Sequence, residues 1–215
     1  MRKKTTSTLV LASVVALGAQ AAPAAAATTT WTVVNPDANG GFTATAPGLT
    51  VQSGSRTLFT CAGSVTIQGS IASKSNSDVA LGGGTVGWTP ECTGADGSTW
   101  AGILSVSAGP NTFRASAYNA STGVTTLNHS APASFPVWTW VRTDSDGTCW
   151  FIATSVAATY TNATSVLKTT TAKVYVPPTA NGVPNCVGQV TDGATLTHTA
   201  SFKVTPAIKI TAVTS

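Results

Sequence analysis

VWTWVRTDSDGTCWFIATSV, residues 137–156, holds three tryptophans, two aspartates, a glycine and a cysteine. It reads either as a metal-binding loop or as two strands joined by a bend. A helix-loop-helix calcium loop needs a bidentate Glu at its twelfth position. Counted from Asp144, that position is Ser155, and the flanking residues are strand formers. The metal reading fails. Asp146-Gly147 between alternating β residues is instead a strong hairpin signal, because both central residues of a type I′ turn need positive φ.

A two-residue turn there pairs Arg142 with Phe151, Val141 with Ile152, Trp140 with Ala153 and Trp138 with Ser155. One face of the hairpin then carries Val137, Val141, Trp150, Ile152 and Val156, a β-branched set suited to a core. The other carries Trp138, Trp140 and Arg142 opposite small Ala153 and Ser155. That second face has two readings. Two indoles on one side of a strand, with a guanidinium next in line, form a platform for a sugar ring. Alternatively the strand is buried on both faces and the indoles are core, as large aromatics usually are.

Beyond the hairpin, stretches rich in Thr, Val, Ile and aromatics recur, among them TWTVV, RTLFTC, SVTIQGSIA, NTFRASAY, SVLKTTTAKVYV and TLTHTASFKV. Turn clusters such as DANGG, NASTG, PPTANG and TDGA separate them. No helical period is sustained after the first residues. The expectation is an all-β antiparallel sandwich or barrel of about ten strands over residues 28–215. DGSTWAGILSV from Asp96 and DGTCWFIATSV from Asp146 echo each other, which turn chemistry alone explains more readily than duplication.

The chain opens with MRKK, an apolar run and AAPAAAA, the pattern of a secretory signal peptide cleaved after Ala25 or Ala27. Its apolar run is shorter than a spanning helix needs, and no lipid or anchoring motif is present, so no membrane attachment is expected after cleavage. Removing residues 1–27 takes Arg2, Lys3 and Lys4 and lowers the net charge from +4 to +1. The remaining cations are scattered, which argues against nucleic acid as a partner. Charged residues are 8% of the chain, against about 25% in an ordinary domain. Solubility therefore rests on Thr, Ser, Asn and Gly.

In an exported chain the four cysteines are expected as two disulfides. Three pairings are possible. Cys61 with Cys92 and Cys149 with Cys186 is favoured, because each then closes one loop in one half of the chain. No CxxC, zinc spacing, phosphate loop or hydrolase elbow is present, so neither a metal nor a cofactor is expected. His129, beside Ser130, and His198 are expected at the surface or the edge of the core. Glu91 with Asp96, or Asp144 with Asp146, would be the carboxylate pair of a glycosidase, but both sets sit in turn-like segments where Asp caps backbone amides. Asn119, Asn128 and Asn162 fit the glycosylation triplet, which carries weight only in a eukaryotic secretory route.

The order of these motifs carries a resemblance. RTLFTC ending at Cys61, then Cys92 and Cys149, YTNATSVL from Tyr160 to Leu167, Cys186 with Val187-Gly188, Asp192-Gly193 and SFKVTPAIKIT resemble the uncharacterised secreted, Thr-rich, disulfide-bonded β proteins of actinomycetes. This sequence departs from them in separating a Pro-Trp element, here Pro136-Val137-Trp138. The resemblance implies secretion and an all-β disulfide-bonded fold and supplies no catalytic residue. The resulting expectation is an extracellular, non-catalytic protein that binds glycan or cell wall. The alternatives are a secreted hydrolase with an unrecognised site and an inert structural or surface protein.

Overall fold

The computed structural model describes residues 28–104, 112–130, 138–144, 149–178, 186 and 188–215. Fourteen strands and no helix are found among them. They are β1 Thr29–Val34, β2 Gly41–Ser53, β3 Arg56–Ser70, β4 Lys74–Asn76, β5 Ala80–Trp88, β6 Cys92–Gly94, β7 Thr99–Leu104, β8 Thr112–Asn119, β9 Val124–Ser130, β10 Trp138–Arg142, β11 Trp150–Thr161, β12 Val166–Tyr175, β13 Thr195–Thr205 and β14 Lys209–Thr214. The all-β antiparallel class stands, with more strands than expected.

Period-two alternation explains why these segments are strands. In β13, Leu196, His198, Ala200, Phe202 and Val204 are buried while the residues between them face outward. The β2–β3 hairpin turns at Ser53–Arg56, where Gly54 has φ +58°, a conformation that costs glycine no steric penalty.

The strands form a closed barrel. Five long ones run side by side in the order β11, β12, β13, β2, β3. The gap between β3 and β11 is closed twice. At one end β5, β8 and β9 bridge it, with β9 paired to Thr161–Ser155 of β11. At the other end β6, β7 and β10 bridge it, with β10 paired to Trp150–Ala153. The wall therefore has eight strands at either end. Where β11 changes partner, between Ala153 and Ser155, its ladder is bulged. Register partners followed around the wall leave β12 at Val166 and return to it at Tyr175. That stagger is what closure of tilted strands requires.

An eight-stranded barrel is just wide enough for its own side chains to fill, and here they do. Phe59, Trp100, Trp138, Trp140 and Phe151 fill the end bounded by β6, β7 and β10; Phe42, Phe113, Leu127, Tyr160 and Leu167 fill the other. The second half holds an apolar cavity of about 20 Å³ among Phe42, Phe113, Tyr160 and Ile208, room for one water molecule.

A separate sheet, β14–β1–β4, lies over the second end. It buries Trp31, Val33 and Ile210. The buried Tyr160 Oη donates to the Ile208 carbonyl at 2.6 Å, and the Asn162 carboxamide exchanges two bonds with the Ile210 backbone at 2.7 and 2.9 Å. These bonds supply partners to strand groups that the small sheet leaves unpaired.

Candidate functional site

Trp138 and Trp140 are 1% and 0% exposed, so the second reading of their face is the correct one: they are core. Their rings stack at 5.6 Å and 16°, and Trp140 packs 4.8 Å from Phe59 and 6.0 Å from His198. Neither indole is available as a sugar platform. The grouping of residues into faces holds, but the faces are inverted with respect to the core. Val141, Trp150 and Ile152 are half-buried on the outside, whereas Val156 is inside, since the bulge after Ala153 reverses the phase of β11. Val137 lies outside the described residues. The physical cause is volume: the interior of this end needs flat, large rings, and Ala153 opposite Trp138 leaves room for one.

The hairpin register also differs from the expected one. Trp138 pairs with Ala153, Trp140 with Phe151 and Val141 with Trp150, two residues away from the pairing that a two-residue turn imposes. The Asp146-Gly147 turn itself lies outside the described residues. The end of β10 is fixed from its other edge, where Arg142 pairs with Trp100 of β7 and the Thr143 N–H donates to the Thr99 carbonyl at 2.8 Å.

Arg142, the third residue of the platform reading, is an ion-pair centre. Its Nε donates to both oxygens of Asp144 at 2.8 Å, and its Nη1 lies 3.6 Å from Asp96 Oδ2. Asp96 in turn accepts a short hydrogen bond from Ser98 Oγ, which accepts the Trp100 indole N–H at 2.8 Å. The Ser98 hydroxyl and N–H hold the Asp96 carboxyl below the usual carboxylate range. Of the two carboxylate pairs that a glycosidase would use, one has its Asp96 committed to a turn. The other has Asp144 committed to Arg142, with Asp146 outside the described residues. Among the described residues no three His, Cys, Asp or Glu side chains gather to hold a metal ion.

His129 and His198 are 3% and 1% exposed, which corrects the expectation of a surface or core-edge position. His129 stacks on Phe113 at 4.2 Å and 18°. The His198 Nδ1 lies 3.4 Å from Thr169 Oγ1. Both Nε2 atoms are buried without a partner. Burial pushes the His129 imidazole down to about 3 and that of His198 down to about 4. Both are neutral at ordinary pH and sealed from any substrate. Ser130, next to His129 on an alternating strand, sits on the opposite side of the wall.

The disulfides are the two sequential ones, Cys61–Cys92 and Cys149–Cys186, and no cysteine is free. Cys61 and Cys92 are direct register partners across β3 and β6. All four are buried. Two buried disulfides agree with an extracellular location.

The aromatics that do reach the surface are others. Trp88 at the end of β5 is 45% exposed and Tyr175 at the end of β12 is 40% exposed. Tyr175 is the register partner of Ile152, which places it diagonally across from half-buried Trp150. Such diagonal neighbours lie about 7–8 Å apart, within reach of aromatic side chains. With Val141 beside Trp150 they form a small apolar patch on the outer wall of β10, β11 and β12. The signal for the exposed pair was local: Trp88 and Tyr175 each stand two residues before a proline, Pro90 and Pro177, where a strand ends for lack of a ladder N–H. No family model, curated protein or solved structure matches this chain.

Proposed function

We propose that the protein is exported and acts by binding glycan or cell-wall material, without catalysis, through aromatic side chains on the outer wall of the barrel. The observation that carries this reading is the diagonal placement of Trp150 and Tyr175 on the outer face of β11 and β12, on a wall otherwise rich in Thr. Aromatic faces attract the apolar faces of sugar rings, while neighbouring hydroxyls serve the ring hydroxyls. Export is supported by the leader-like residues 1–27 and by the two buried disulfides. A hydrolase is disfavoured by the state of its candidates, two sealed neutral histidines and two carboxylates engaged in structural pairs.

The test is sedimentation of the folded protein with insoluble cell-wall and polysaccharide preparations, alongside Trp150→Ala and Tyr175→Ala. Retention of the wild type on at least one preparation, with several-fold weaker retention of each variant, supports the reading. No retention on any preparation leaves an inert surface protein as the better account.

A further inference from the structure

We propose that a groove between β8 and the capping sheet is a binding site for a single neutral sugar ring. The inference rests on the glycan-binding reading for its ligand class, but on different residues. The groove measures about 360 Å³ and runs between Thr29, Trp31, Ala212 and Thr214 on the sheet and Ala115 to Tyr118 on β8. That volume falls within the range of small-molecule sites. Two other concavities fit a sugar less well. The cavity in the barrel end is wholly apolar and holds about 20 Å³. The cleft at Asp37 and Gln68 carries a carboxylate whose Oδ1 already accepts the amides of Asn39 and Gly41 at 2.8 and 3.0 Å.

Two properties of the groove select its ligand. None of its lining residues is Asp, Glu, Lys, Arg or His, so an ionised ligand would lose its hydration there without gaining a counter-charge. Its polar groups are instead hydroxyls and an indole. Ser116 and Thr214 contribute hydroxyls, and Tyr118 is half-buried against the core. Trp31 is 97% buried, has no hydrogen-bond acceptor for its indole N–H among the described residues, and yet is not one of the polar groups sealed from solvent. The residue lines this groove. A donor that water can reach and no protein group occupies is open to an acceptor from outside, and a sugar hydroxyl can take the place of the water.

The experiment follows the Trp31 indole N–H by two-dimensional NMR, the signal being assigned by its loss in Trp31→Phe. Glucose, N-acetylglucosamine and their short oligomers are titrated in turn, with glucuronate as the charged comparison. The expected result is a saturable shift of the Trp31 signal by at least one neutral sugar. Ala117→Trp, which fills the groove from an exposed position, should abolish that shift. In Trp31→Phe, calorimetry should show binding weakened roughly three- to tenfold, the value of one hydrogen bond. A silent Trp31 signal with every neutral sugar overturns the proposal, as does an undiminished shift in Ala117→Trp or tighter binding of glucuronate. Retention on insoluble polysaccharide with a silent Trp31 signal rejects the groove and leaves the outer-wall reading standing.

Discussion

Gly102 lies directly under the six-membered ring of Trp140: a Cβ built on Gly102 would sit 2.3 Å from the ring. The close approach of β7 to β10 at this point is what lets the indole lie inside the barrel. Substituting Gly102→Ala should therefore destabilise the protein by about 1–3 kcal/mol through overpacking. Urea denaturation measures it. An unchanged midpoint would mean that Trp140 has room to move and is not held by the wall.

The strands were legible in the sequence, and so was the division of residues 138–153 into two faces, because period-two alternation is a local property. Which face turns inward was not. Val141 and Ile152 are as apolar as a core demands, and only the closure of an eight-stranded wall makes the flat rings of Trp138 and Trp140 the better filling. That closure depends on pairings such as β10 with β7 and β9 with β11, which leave no trace in any one strand. Of the three possible disulfide pairings, the favoured one, with a loop closed in each half of the chain, is the one present. The burial of His129 and His198 was not, since alternation assigns each to a face without saying that the face is dry.

Acid should unfold the protein through these histidines. Both have folded pKa values, about 3 and about 4, below the ordinary 6.5, so the unfolded state binds their protons more tightly. Their contribution is fully present above pH 6.5 and is lost as pH falls from there towards 4 and then 3. Each histidine gives a slope of about 1.4 kcal/mol per pH unit in that window. Denaturation midpoints measured from pH 7 to pH 4 should fall steeply, and His129→Leu should roughly halve the slope. A flat profile would place both rings in contact with solvent.

The capping sheet should loosen when its anchor is cut. Tyr160→Phe removes the 2.6 Å bond to the Ile208 carbonyl and leaves that acceptor buried, at a cost of about 1–3 kcal/mol. Hydrogen exchange should accelerate in β1 and β14 before it does in β13. Uniform acceleration would show that the cap and barrel open as one unit.

Each disulfide should contribute comparably. Loops of 31 and 37 residues give about 3.5–4 kcal/mol apiece in the chain-entropy model. Paired Cys→Ala variants, Cys61 with Cys92 and Cys149 with Cys186, test this by thermal melts under non-reducing conditions. A far smaller loss from either would mean that the ladder around it already restrains the unfolded chain.

The separation of core from binding surface is tested most directly by a depletion isotherm on the polysaccharide that retains the wild type, repeated with the double variant Trp150→Ala, Tyr175→Ala. With its circular dichroism and melting unchanged to within a few degrees, the double variant should lose at least tenfold in affinity, about 1.4 kcal/mol. Affinity equal to that of the wild type, from a variant that folds as well, would contradict the assignment of binding to the outer wall.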